Sequence, residues 1–163
     1  MTEKPYRKSV GIIIFNRNGE VLLGERLNVL GSWQFPQGGI DPNEDPLVAA
    51  KREMYEEVGI ADAELVKELD QWLNYDFPSD LDLGGKMGKY KGQTQKWFLF
   101  FWDRDASECN LEVHDREFEQ VKFIPFEQCL DTIVPFKQAI YVELLSRFQP
   151  VVQKYLVILN GHN

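Results

Sequence analysis

The sequence predicts an α/β fold, and three observations carry that prediction. An unbroken apolar run, Val10-Gly11-Ile12-Ile13-Ile14-Phe15, reads as a strand buried on both faces. A helical pattern runs from Pro46 to Glu57 and meets a stop at Gly59. A β-branched and aromatic run, Gln93 to Trp102, is a second strong strand. The 163 residues, 44% hydrophobic and 13% aromatic, suit a single domain over residues 1–163 with a sizeable core.

Taken in order, Asn16-Arg17-Asn18-Gly19 is a turn signal followed by Val21-Leu22-Leu23, so residues 8–25 form a strand hairpin. Residues 33–40 hold one proline and two glycines and cannot be helical. Asp41-Pro42-Asn43-Glu44-Asp45-Pro46 supplies N-cap chemistry, with Pro46 in the first turn of the helix. Residues 64–76 and 118–126 are strand candidates. The connection over 77–92, with Pro78, Gly84, Gly85, Gly88 and Gly92, has the length of a functional loop. Residues 136–148 form an amphipathic helix, bent or ended near Pro150.

The net charge of −8 excludes a general DNA-coating protein, which needs clustered positive charge. No apolar stretch is long enough to span a membrane, and the N-terminal residues lack a secretory h-region. Cys109 and Cys129 form no CxxC and suit idle thiols in a reducing cytoplasm. His114 and His162 are isolated, which argues against zinc or a histidine-based triad.

On a helix, Glu53, Glu56 and Glu57 share one face, opposite Leu47, Ala50, Met54 and Val58. Glu53 and Glu57 repel at i,i+4, while Arg52 can pair with Glu56. For three such glutamates alone, a solvated acidic face is the favoured reading. A function gives the repulsion a purpose: carboxylates on a rigid surface form a hard-oxygen site for Mg²⁺ or Mn²⁺. Gly38 and Gly39 then permit an unusual bend and a close approach of backbone, metal and substrate.

Gly38, five residues, Glu44, seven residues, and Arg52-Glu53-Met54-Tyr55-Glu56-Glu57-Val58-Gly59-Ile60 match the pattern G-x5-E-x7-R-E-U-x-E-E-x-G-U. On these residues the chain resembles the Nudix family, with its box at 38–60. Seven fixed positions give a chance match of roughly one in a million. Met54 stands where a branched aliphatic residue is usual, and methionine fills similar space. Further stretches (Tyr6-Arg7, Ser32 to Gly39, Trp72 to Pro78, Gly92 to Phe98, Pro135-Phe136-Lys137) resemble bacterial RNA pyrophosphohydrolases and asymmetrical diadenosine tetraphosphate hydrolases.

The resemblance implies a Nudix-type α/β/α sandwich with a mixed sheet and a loop-helix-loop catalytic motif. It implies metal-dependent hydrolysis of phosphoanhydrides, with Mg²⁺ or Mn²⁺ as cofactor. The substrate would be an RNA 5′ end, in mRNA decay, or a dinucleoside polyphosphate. By position, Glu53, Glu56, Glu57 and Glu117 would ligate metal, with Glu56 or Glu57 serving as base. Glu44 would orient or assist, and Arg52 would brace the glutamates. Glu117 follows Arg116 where the family has Pro, Val121 and Phe123 replace a usual Trp, and Ser9 replaces a usual Asn.

Arg7 and Arg26 are candidate phosphate contacts, since arginine grips phosphate oxygens in pairs. Residues 86–96 hold Lys86, Lys89, Lys91 and Lys96 and no acid, a landing surface for a polyanion of which Lys96 is the main candidate. Tyr75 is the candidate for stacking on a base. A second reading is a non-catalytic nucleotide- or RNA-binding module. Such a module would have lost box glutamates or the arginine, and all are present. The sequence assigns no oligomeric state.

Overall fold

The computed structural model describes residues 3–79 and 85–161, with the side chain of Lys86 outside that set. A mixed sheet has strands β1 (Tyr6–Phe15), β2 (Glu20–Arg26), β3 (Trp33–Gln34), β4 (Gln37–Gly39), β5 (Glu64–Glu68), β6 (Leu73–Asp76), β7 (Gly92–Phe101) and β8 (Phe118–Pro125). The order is β3-β2-β1-β7-β5, with β4 on β1, β6 on β7 and β8 on β2. At its centre β1 and β7 run parallel, in register from Tyr6↔Gly92 to Phe15↔Phe101. Helices α1 (Pro46–Val58) and α2 (Gln138–Asn160) complete the fold.

Strand alternation sorts the core into two layers. Val10, Ile12, Ile14, Phe98 and Phe100 meet Ala49, Ala50, Met54 and Val58 of α1. Ile13, Phe15, Trp97 and Leu99 meet Ile140, Tyr141, Leu144 and Phe148 of α2. The continuous apolar run of β1 is therefore covered on both sides, and the arrangement is the expected sandwich.

Helix α1 begins where its sequence signals place it. The Asp45 carboxylate accepts from Leu47 N at 3.0 Å and Val48 N at 3.3 Å, with Pro46 in the first turn. Gly59 closes it in the left-handed region at φ 71° and donates to Tyr55 O.

Two expectations change. Residues 64–76 are not one strand: β5 and β6 both pair antiparallel with β7. The chain advances from Glu68 to Leu73 while β7 recedes only from Phe98 to Gln95, and the surplus residues are expelled between the two strands. Nor does the last helix end at Pro150. It runs on to Asn160, because Leu144, Phe148 and Val152 are buried while Pro150 faces water. Packing on one side outweighs the missing hydrogen bond on the other, where solvent can serve the freed carbonyl.

Gly59→Ala is expected to lower stability by about 1–3 kcal/mol, since φ is positive and the new Cβ would press on Asn110 backbone. Urea denaturation reads this as a lower midpoint with an unchanged slope. A midpoint equal to wild type would contradict the assignment of Gly59 as an obligatory cap.

Candidate active site

The pairings Ser9↔Gly39, Val10↔Gly38 and Gly11↔Gln37 lay β4 along β1, and α1 then returns across it. This places Gly38 against the Glu53 carboxylate, where any Cβ would collide, and Gly39 under the Arg7 guanidinium. Both glycines are thus required by close approach of side chains that carry charge.

Arg52 organises the acids. Its Nε and Nη2 donate to the two oxygens of Glu44, each at 2.9 Å. Its Nη1 donates to Glu53 at 2.8 Å and Glu56 at 3.2 Å, and its Nη2 also reaches Gly39 O at 2.9 Å. The forked contact holds the Glu44 carboxyl below its usual range. Glu53 moves the other way: burial raises it, and Arg52 offsets only part.

Glu57 lies outside this network. It is 5% exposed, so the acidic face is not uniformly solvated. Its carboxylate accepts from Gln37 N at 3.1 Å. Burial first, then Glu53 and Glu117, push it well above the usual carboxylate range. A buried carboxylate without an ion pair among the described residues calls for added positive charge. Oxygen donors facing the bare Cα of Gly38 suit a small hard divalent cation. Among the described residues no three of His, Cys, Asp and Glu already surround one point as a ligand cluster.

Beside these acids opens a cleft of about 530 Å³. Of the residues singled out in the sequence, Arg7, Arg26, Gly38, Gly39, Glu53, Glu57, Tyr75 and Glu117 line it. Arg52, Glu44 and Glu56 stand behind, on α1 and the turn before it. Arg7 Nη1 donates to Gln93 at 3.4 Å, and Gln95 donates to Gln37 at 3.0 Å, giving the cleft a buried glutamine floor. Ser9 Oγ and Trp97 Nε1, buried on the same sheet face, have no hydrogen-bond partner among the described residues.

Tyr75 is mostly buried; burial raises its hydroxyl to about 12, and Gln93 donates to it. Its ring packs on Phe77 and Phe136, with centroids 5.9 and 5.8 Å away. Those two half-buried rings join Tyr75 in the cleft wall.

Lys96 is not brought to the cleft. Gln93, Gln95 and Trp97 point to the α2 side, so Lys96 points to the α1 side, where it meets Glu68 at 3.4 Å. Lys91 pairs with Glu3 and lies 4.5 Å from the Tyr6 ring centroid, and Lys89 lies over Tyr90. The cation that does enter is Lys137, which the sequence reading did not select. It is 7% exposed, donates to Gln34 at 3.1 Å and sits 5.5 Å from the Tyr75 ring centroid. Burial, helped by Arg26, lowers its pKa to about 8. Its signal was a lysine beside an aromatic in Pro135-Phe136-Lys137, far along the chain from the box. Cys109 and Cys129 are free thiols raised by burial to about 12, which leaves them poor nucleophiles.

One face of the cleft thus offers carboxylates able to hold cations and a proton, and the other offers Arg7, Arg26 and Lys137 for phosphate oxygens. Aromatic rings between them offer stacking area.

The model of the NUDIX domain matches residues 5–144. A protein of Bartonella henselae named RNA pyrophosphohydrolase is 42% identical over 162 residues, covering 91% of this chain and 93% of its own. One of Roseobacter denitrificans with the same name is 43% identical over 148 residues, covering 89% and 92%. Among solved structures, a Caenorhabditis elegans Ap4A hydrolase binary complex superposes with TM-score 0.57 at 20% identity, over 94% of this chain and 98% of that one. A Francisella tularensis bifunctional NMN adenylyltransferase/ADP ribose pyrophosphatase, complexed with AMP and Mn ion, gives 0.61 at 19%, over 91% and 43%. At such identities the two structures share the fold alone.

Lys137→Met is expected to stabilise the protein at pH 7 by about 1–2 kcal/mol, because a buried charge is removed at the loss of one hydrogen bond. With a folded pKa of about 8 against 10.5 in the unfolded chain, the unfolded state binds more protons between those values. Wild-type stability therefore rises across that window and the gap to the variant narrows. Chemical denaturation at pH 7 and pH 10 reads it; a gap that stays constant would contradict the buried-lysine assignment.

Proposed function

The chain belongs to the Nudix family, and on that premise we propose that it is an RNA pyrophosphohydrolase: it hydrolyses the phosphoanhydride of an RNA 5′-triphosphate end. The observation that carries the reading is the cleft itself, where the buried Glu57, the half-buried Glu53 and the exposed Glu117 meet Arg7, Arg26 and Lys137, cations without an ion pair among the described residues, beside aromatic rings. The two relatives above, each matched over about nine-tenths of both chains, support RNA as the substrate.

Glu53, Glu57 and Glu117 from the cleft and Glu56 behind it would hold the divalent metal ion, in our reading Mg²⁺, with which the enzyme works. When bound, the cation neutralises the phosphate chain and lowers the pKa of water. Glu44 and Arg52 carry no proton in the reaction; their role is to fix the carboxylates. Glu57, buried on the cleft and free of an ion pair among the described residues, accepts the proton of the attacking water. The water oxygen bonds to phosphorus, the anhydride bond breaks, and pyrophosphate leaves from a 5′-monophosphorylated RNA. Arg7, Arg26 and Lys137 balance the charge that develops on the phosphate oxygens. Phe77 and Phe136, half-buried in the cleft wall, take base surface, while Tyr75, only 6% exposed, backs them and does not itself stack on a base.

On this reading we assign the protein to mRNA decay in the cytoplasm, the process that a 5′-monophosphorylated RNA product would feed. Among the described residues no helix is long and apolar enough to cross a membrane.

Glu57→Gln is expected to lower kcat at least about a hundredfold. Its melting temperature should match or exceed wild type, since a buried charge is neutralised. Full turnover in this variant would overturn the mechanism. Catalytic efficiencies measured side by side in Mg²⁺ on 5′-triphosphate RNA and diadenosine tetraphosphate should favour RNA. A large preference for the dinucleotide would reassign the enzyme to asymmetrical dinucleoside polyphosphate hydrolysis.

A further inference from the structure

A second cavity, of about 410 Å³, opens on the other flank of the same carboxylate. Tyr6, Arg7, Lys8, Asp41, Glu53 and Tyr90 line it. Arg7, Gly39 and Glu53 belong to both cavities, so the Arg7 guanidinium over Gly39 forms the threshold between them. We propose that this second cavity binds the leaving half of the substrate, a magnesium-chelated pyrophosphate, with Lys8 as the residue that grips it. The inference rests on the function argued above.

A chain whose scissile bond lies at Glu53 must leave that point in two directions. The larger cleft carries the aromatic rings that suit a nucleoside, so the distal phosphates run the other way, past Arg7.

The lining fits that cargo. Lys8 and Arg7 offer cationic donors, and neither has an ion pair among the described residues. Lys8 is exposed on the α1 side of β1, where Arg7 faces the opposite side, so the two reach the threshold from both faces of the strand. Asp41 and Glu53 add carboxylates. A naked polyanion would be repelled by them, but a pyrophosphate carrying a divalent cation meets both signs with both signs.

A nucleotide leaving group fits less well. The hydroxyl of Tyr6 is committed to Asp76, and its ring lies beneath Lys91 at 4.5 Å from the centroid. Tyr6 is therefore a wall, with one ring face already taken, and not a stacking platform for a second base. Chelated pyrophosphate, which carries no base, needs no platform. Lys8 is also particular in its place: it precedes Ser9, and its carbonyl accepts from Ile40 N at 3.2 Å, which fixes the backbone from which its side chain leaves.

Titration calorimetry in Mg²⁺ tests this on the full chain with two probes, inorganic pyrophosphate and 5′-AMP. Lys8→Ala is expected to weaken pyrophosphate about fivefold to tenfold and to leave 5′-AMP within about twofold, the scale of one lost charge-assisted contact. Arg26→Ala should do the reverse. Lys8→Ala with wild-type pyrophosphate affinity would overturn the proposal, as would equal weakening of both probes or no pyrophosphate binding by wild type. Lys8-dependent pyrophosphate binding in a protein that leaves 5′-triphosphate RNA intact would uphold the pocket and refute the activity instead.

Discussion

The five donors of one guanidinium decide the arrangement of this site. Arg52 takes both oxygens of Glu44, one oxygen each of Glu53 and Glu56, and the carbonyl of Gly39. Without it, Glu53, Glu56 and Glu57 would crowd one helix face as like charges, with repulsion at i,i+4 and no geometric preference. With it, the turn before α1, the helix itself and β4 are tied to a single planar fork. A lysine could supply the charge but not the five directed bonds. Glu57 is the one box glutamate that Arg52 does not reach, and it is the buried one. The network therefore concentrates its unpaid electrostatic cost at a single carboxylate on the cleft.

The sheet sets what surrounds that carboxylate. Parallel pairing of β1 with β7 puts Arg7 beside Gln93, both lining the cleft, and Ser9 beside Gln95 on the same face of the sheet. One residue along, Lys8, Thr94 and Lys96 face the other way. A change of parity on β7 would exchange the buried Gln93 and Gln95 for Thr94 and Lys96. The two flanks of Glu53 differ in character for this reason: one is aromatic and deep, the other small and charged.

Much of this was legible in the sequence, for local reasons. Helix α1 announces itself through Asp45, Pro46 and Gly59, and the spacing of Gly38, Glu44 and Arg52 to Glu57 fixes which groups meet. Lys137 and the rings of Phe77 and Phe136 were not selected, because they reach the cleft only through tertiary packing of α2 and β6 on β7. Lys96 was misplaced although its parity was readable: it alternates with Gln95 and Trp97, whose burial on the α2 side excludes it. Pro150 shows the limit of breaker rules, since an apolar stripe at Leu144, Phe148 and Val152 carries the helix through it. Residues 64–76 read as one strand because the surplus that divides them exists only relative to β7.

The account rests on Glu57 being a buried carboxylate whose charge is completed by a divalent cation. The most direct measurement is the titration of its side-chain carbon by nuclear magnetic resonance, assigned by comparison with Glu57→Gln, with and without saturating Mg²⁺. The account predicts a midpoint well above the usual carboxylate range without the ion and a marked fall with it. A Glu57 that titrates in the ordinary range under both conditions would contradict it.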